Sequence, residues 1–194
     1  MKFNQYTWNL YKQTVIGIEM IKYFSDARGY ALFKDYCLHA NFIPEDLYND
    51  WLENIYCYSV SDYDHPTSLE EAKGLYISLI TLGIRVEEQQ WLPANDFKNM
   101  LEIIQPMSYV LSQFAPEYFF PYLFLCRIFE LNKIADFFNI DLPNIPKRTD
   151  YKGRCMYYWE LCEVLYLFRK ENGLSPAELW SFLYDFAPNN LPSK

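Results

Sequence analysis

The sequence predicts an all-α protein: an irregular, single-domain helical bundle of about seven to nine helices, with at most one short strand pair. Three observations carry this. Apolar residues recur at spacings of three and four along most of the chain. Serine, threonine and proline stand where helices start, and glycine or proline where they stop. The breaks between periodic stretches are short, with no low-complexity linker and no fixed repeat of about 30 to 45 residues.

The elements follow in order. The first periodic stretch runs from about Tyr6 to Phe24, with Trp8, Tyr11, Val15, Ile18 and Phe24 on its apolar stripe. A second covers about Ala27 to His39. Pro44 stands in a first-turn position before Glu45 and Asp46, which suit the positive end of a helix dipole, so a third helix runs to about Tyr58. Ser59 to Thr67 is rich in turn formers. Thr67 with Glu70 reads as a capping box that opens a fourth helix, and Gly83 stops it. Ile84 to Leu92 reads two ways, as a helix extension or as a short edge strand. Pro93 resets the chain, and a soft subdivision of the single domain 1–194 falls near residues 93–116.

Asn95 or Asp96 caps a fifth helix that Pro106 ends or bends. A short helix from about Met107 to Phe114 stops before Pro116, and another runs from about Pro121 to Phe138. Asn139 to Lys152 is a connection punctuated by Pro143 and Pro146. A long helix from about Tyr151 to Asn172 then ends at Gly173. Ser175-Pro176-Ala177-Glu178 is a capping box with proline at the first position. The last helix ends near Ala187-Pro188.

Composition narrows the function classes. Hydrophobic residues are 51% and charged residues 22% of the 194, as in a folded protein. The net charge of −8 argues against general duplex-DNA binding and leaves room for a local basic site. No run reaches about 18 uninterrupted apolar residues, so no membrane span is expected. The richest, Tyr118 to Phe129, is broken by Pro121 and carries Arg127. Met1 to Leu10 has neither the apolar core nor the cleavage site of an export signal. Five cysteines, an odd number with no CxxC spacing, read as reduced thiols in a cytoplasm. Cys155 and Cys162, seven apart on one helix face, read as core filler.

Catalytic vocabulary is almost missing. The two histidines, His39 and His65, lie far apart in sequence and in no metal-ligand spacing. The six glycines are scattered and form no phosphate-binding loop, and there is no GxSxG elbow. Asp62-x-Asp64 beside His65 lacks the glycine and distal glutamate of a calcium loop and reads as a solvated turn. Glu160 and Glu163 form a single ExxE, too common to imply a metal. No catalytic, cofactor-binding or metal-ligating residue is therefore assigned, and no cofactor is expected.

Two features do point outward. Lys147, Arg148, Lys152 and Arg154 gather four positive charges against Asp150 in an acidic chain, with Tyr151, Tyr157 and Tyr158 beside them. Cations interleaved with aromatics suit single-stranded nucleic acid or a phosphorylated ligand. Cations at a helix N-terminus also oppose the dipole. The second feature is the 20% aromatic content. Rings beyond what one core needs, such as those of Tyr56-Cys57-Tyr58 or Tyr118-Phe119-Phe120, are expected in an exposed patch that meets a protein partner.

Three strings carry a resemblance. They are Phe120-Pro121-Tyr122 through Leu142-Pro143-Asn144-Ile145-Pro146-Lys147-Arg148, then Tyr157-Tyr158-Trp159-Glu160-Leu161-Cys162. The third is Leu174-Ser175-Pro176-Ala177-Glu178-Leu179 with Phe182-Leu183-Tyr184-Asp185-Phe186-Ala187-Pro188. Together they resemble the helical N-terminal region of bacterial proteins whose C-terminal part is an EVE/PUA-type small β-barrel. The resemblance implies that the chain is an N-terminal domain of a longer protein and an accessory or assembly module. It also implies a setting in which the barrel binds modified bases or RNA, often beside restriction-type defence enzymes. The matching residues are caps and packing residues, so no catalytic role transfers.

The expectation is a non-enzymatic, cytoplasmic α-helical interaction domain that docks a protein partner or its own missing C-terminal domain. The alternative is a nucleic-acid accessory module using Lys147, Arg148, Lys152, Arg154, Tyr157 and Tyr158. A third reading, an enzyme whose carboxylates converge only in the fold, requires a deep pocket with two or more buried acids.

Overall fold

The computed structural model describes residues 3–25, 62–85, 97–122 and 128–191. Every regular element among them is helical. The helices expected over Ala27–His39 and Pro44–Tyr58, and the Asn95 or Asp96 cap, lie outside the described residues, as does most of the ambiguous stretch up to Leu92.

The single N-terminal helix expected from the periodicity is two: α1 (Gln5–Tyr11) and α2 (Val15–Ser25). Asn4 caps α1, its side-chain oxygen accepting from the backbone N–H groups of Tyr6 and Thr7. The break belongs to Thr14. Its hydroxyl donates to the Tyr11 carbonyl at 2.7 Å and accepts from the Gly17 N–H at 2.9 Å, so it closes one helix and opens the next. A continuous apolar stripe hides such a break, because a local side-chain cap leaves the spacing of three and four intact.

α3 (Leu69–Arg85) starts one residue later than the expected capping box. The Ser68 hydroxyl accepts from the Glu71 N–H, and the Glu71 carboxylate accepts from both the N–H and the hydroxyl of Thr67. Those bonds from Thr67 hold the Glu71 carboxyl below its ordinary range. Gly83 does not stop this helix, which runs on through Ile84 and Arg85. α4 (Phe97–Phe114) likewise continues through Pro106, where two helices were expected. Ile104, Met107, Val110 and Leu111 are all buried along that stretch, so packing overrides the hydrogen bond that proline cannot make.

The helix expected from Pro121 does not begin there. Pro121 and Tyr122 are non-helical, and α5 covers Ile128–Phe138. Phe119, Phe120, Pro121 and Tyr122 are buried in succession, which a one-sided helix cannot achieve, and the Tyr122 N–H donates to the Ser108 hydroxyl of α4. α5 ends at Asn139, whose φ of 59° turns the chain into the connection. α6 (Tyr151–Glu171) ends, as expected, at a glycine with positive φ, Gly173. The Ser175 capping box is present with both of its bonds and starts α7 (Pro176–Ser181).

The last helix does not end at Ala187-Pro188. One π turn, Phe182–Phe186, carries α7 into α8 (Ala187–Asn190), with the Ala187 N–H reaching the Phe182 carbonyl. The wider turn includes Tyr184, whose carbonyl the Pro188 ring would meet in a regular α-helix.

The chain groups into two compact units. One unit takes Met1–Tyr36, Leu123–Leu142 and Val164–Lys194; the other takes Cys37–Tyr122 and Pro143–Glu163. In the first, α2 packs on α7, and Phe24 meets Trp180 and Tyr184. Trp8, fully buried, lies on Tyr11, Phe182 and Phe186. In the second, α3 packs on α4, and Tyr76, Phe119 and Trp159 form a buried ring cluster.

Two polar contacts join α1 to the C-terminal helical run. The Tyr11 hydroxyl donates to the Asp185 carboxylate at 2.7 Å, and Lys12 pairs with Glu178 at 2.8 Å. Burial, then the bond and charge of Asp185, push the Tyr11 hydroxyl well above its ordinary range. Burial pushes the Glu178 carboxyl up, but its bonds from Lys12 and Ser175 outweigh that and hold it below 4.5. A carboxyl depressed on folding stabilises the fold above its ordinary pKa, and that stabilisation disappears as pH falls through the depressed value. The melting-temperature gap between wild type and Glu178→Gln is therefore expected to be widest at neutral pH. It should close as pH drops below about 4; a gap independent of pH would contradict this role.

Gly17 gives a sharper test. A Cβ there would lie 2.1 Å from the Tyr11 carbonyl oxygen, whereas one on Gly74 of α3 would meet nothing within 4 Å. Gly17→Ala should destabilise by about 1–3 kcal/mol, as overpacking does. Gly74→Ala should stabilise by about 0.5–1 kcal/mol through lost unfolded-state freedom. Urea unfolding of the two variants checks the opposite signs.

Candidate functional site

The basic cluster lies at the start of α6, within the second unit. The connection from Asp141 to Lys147 has no regular structure and is then turned back. The Asp150 N–H donates to the Lys147 carbonyl at 2.9 Å, so Lys147 returns to the mouth of the helix. Asp150 caps α6, its carboxylate accepting from the Gly153 N–H at 2.8 Å. A Cβ added at Gly153 would meet only this carboxylate, which would shift to accommodate it. The cap also offsets the unfavourable placement of cations at a helix N-terminus.

Lys147, Arg148 and Lys152 are exposed. Arg154 is half-buried, its guanidinium reaching the Arg148 carbonyl at 3.4 Å, which straps the turn to the first helical turn. The two tyrosines expected beside them are core residues. Tyr157 is 4% exposed and Tyr158 is fully buried, its hydroxyl donating to the Phe120 carbonyl at 2.9 Å. Burial, then Glu160, push the Tyr157 hydroxyl up. Neither ring presents a face for stacking. The exposed ring is Tyr151, at 38%, which the sequence placed beside the cluster without assigning it a role.

Cys155 and Cys162 are buried packing residues, as their seven-residue spacing suggests. Burial pushes each thiol up to about 12, so neither carries a thiolate near neutral pH. Asp62, Asp64 and His65 are exposed, which fits a solvated turn. The His65 ring stacks on Phe114 at 4.2 Å, with Nδ1 at 2.9 Å from the Phe114 carbonyl oxygen. His39, Cys37, Cys57 and Cys126 lie outside the described residues. Among the described residues no group of three or more His, Cys, Asp or Glu is placed to hold a metal ion, and no helix is long and apolar enough to cross a membrane.

A groove of about 370 Å³ in the first unit is lined by Ala135, Asp136, Asn139, Ile140 and Asp141. Both of its carboxylates are exposed, unlike the buried pair that an acid–base site would require.

Of the two strings expected in an exposed apolar patch, one is largely buried, through Phe119 and Phe120, and the other, Tyr56-Cys57-Tyr58, lies outside the described residues. Exposed apolar side chains gather on α1 and α2: Tyr6 71%, Leu10 48%, Val15 71%, Ile16 61% and Ile18 54%. Val15 and Ile18 were expected on a core stripe. The break at Thr14 resets the helix phase, so that Phe24 is buried as expected but shares the inward side of α2 with Gly17. The available signal was local: Val15-Ile16-Gly17-Ile18 is apolar all round, so no single stripe accommodates it.

No protein-family model matches this chain, and no curated protein or solved structure matches it either.

Proposed function

We propose that this chain is a non-enzymatic α-helical interaction domain that docks a partner protein through the exposed apolar residues of α1 and α2. The observation that supports the reading is the run of Tyr6, Leu10, Val15, Ile16 and Ile18 left in water within two short helices. Scattered exposed apolar residues are ordinary, but a concentrated set marks an interaction surface. Charged residues are sparse there, as at the centre of a protein interface. The reading places the domain in a bacterial cytoplasm: the resemblance implies the bacterial origin, and the unpaired Cys155 and Cys162 suit the reducing compartment. The test compares the tagged wild type, recovered from its own cells, with a Val15→Glu, Ile18→Glu double variant. A stoichiometric partner captured by the wild type and lost by the folded variant is expected. Identical recovery profiles overturn the reading.

The exposure of Lys147, Arg148 and Lys152 favours a second reading, a nucleic-acid accessory module. Asp150 is the one acid between residues 147 and 159, and its carboxylate is engaged at the helix cap. Four cations against this one acid leave the cluster net positive although the whole chain is acidic. Fluorescence anisotropy with labelled single-stranded RNA and DNA tests this. The logarithm of the binding constant should fall with the logarithm of salt by about 0.7 per phosphate contacted. Binding should vanish when Lys147, Arg148, Lys152 and Arg154 are all changed to alanine. No binding at low salt, or binding indifferent to the four changes, rules the reading out.

A further inference from the structure

We propose that Tyr151 is the stacking residue of the basic site, its ring taking one unpaired base of a single strand whose flanking phosphates lie on Lys147, Arg148 and Lys152. The inference rests on the nucleic-acid reading above. It comes from a redistribution of rings that the sequence does not reveal. Of the tyrosines around the cluster, Tyr157 and Tyr158 are buried, and Tyr158 is held through its hydroxyl. Tyr151 is left at the surface.

Its position suits the task. Tyr151 is the first residue of α6, so no earlier helical turn lies over its ring. The turn closed by Asp150 on Lys147 folds the backbone of residues 147–150 directly before it. Lys152 follows directly, and Arg154, three residues on along the helix, is tied back to the Arg148 carbonyl. Exposed cations thus flank an exposed ring on both sides in sequence. That is the arrangement in which phosphates are tracked by charge and a base is held by its π-face.

The nearest acid is kept out of the way. Asp150 points its carboxylate back to the Gly153 N–H, in space that any side chain at 153 would occupy. The one acid in the cluster thus has its carboxylate directed to the helix cap. A duplex offers no unpaired base to such a ring, and the protein's −8 net charge opposes a long polyanion, so the favoured ligand is a short unpaired segment.

The experiment titrates labelled single-stranded RNA, single-stranded DNA and an abasic sugar–phosphate strand of equal length into the full chain. The variants are Tyr151→Phe, Tyr151→Leu and Tyr151→Ala, each checked for native circular dichroism. Leucine keeps bulk but lacks the π-face, so it separates stacking from packing. Loss of one stacked base corresponds to a roughly 5- to 150-fold weaker affinity. That loss is expected for Tyr151→Leu and Tyr151→Ala on base-bearing strands, with none on the abasic strand and none for Tyr151→Phe. The salt slope should stay unchanged in all three. Equal losses on abasic and base-bearing strands, or no loss at all, overturn the role of Tyr151 while leaving the cationic site intact. A wild type that binds no strand even at low salt overturns the inference together with the reading beneath it.

Discussion

The Phe182 ring is the point on which the first unit depends. It is fully buried and lies against Phe3, Trp8, Phe138, Phe168 and Phe186, with centroids between 4.9 and 6.2 Å apart. Those rings come from the N-terminus, α5, the end of α6 and the π turn itself. Segments distant in sequence are thus joined by aromatic area, non-directional and large per residue. The edge-to-face geometry of several pairs adds a directional preference to that area. The π turn belongs to the same constraint. It places Phe182 and Phe186 toward the cluster while carrying Pro188 onward in a helix that proline would otherwise end.

The second unit solves the same problem with rings that carry polar tips. Tyr158 packs on Tyr76, Phe120 and Tyr122, and its hydroxyl donates to the Phe120 carbonyl. Tyr76 donates to the Cys155 carbonyl at 2.6 Å. Each bond satisfies a polar atom that burial would otherwise leave exposed to the full desolvation cost, on the order of 1–3 kcal/mol. Each also pins a ring to a backbone carbonyl rather than only to other side chains. The non-helical run through Phe119 and Tyr122 is fixed in this way, by Tyr158 on one side and the Ser108 hydroxyl on the other.

This division of labour explains what the sequence showed and what it hid. The all-α class was legible because helical spacing is set residue by residue, and so were the Ser175 box and the Gly173 cap, which involve neighbours only. Errors arose where a distant partner or a competing local bond decided the outcome. Pro106 sits inside a helix because the face around it is buried, and Gly83 inside another for want of a local stop signal strong enough to end it. Thr14 breaks a helix that apolar spacing alone would continue. The basic residues were legible as a cluster because they adjoin one another in sequence. The identity of the exposed ring was not, since burial of Tyr158 depends on Phe120 and Tyr122, which come from elsewhere in the chain.

The surface follows from the same accounting of rings. In a chain that is one-fifth aromatic, most rings must be enclosed, and the enclosed ones define the two cores. What remains outside is therefore selective. On α1 and α2 the residues left out are mostly aliphatic, with Tyr6 the one aromatic among the five, because Trp8 and Phe24 already occupy the inward positions on either side of the Thr14 break. At the start of α6, Cys155, Tyr158 and Cys162 take the inward stripe at helical spacings; Tyr151 continues that stripe one turn earlier and is exposed as the first residue of the helix, while Lys152 lies off the stripe. Packing demands on the interior thus generate both exposed surfaces, one apolar and one cationic. Neither required a catalytic group, and their chemistry differs because the helices that expose them begin differently: one at a threonine hinge followed by aliphatics, the other at an aspartate cap surrounded by lysine and arginine.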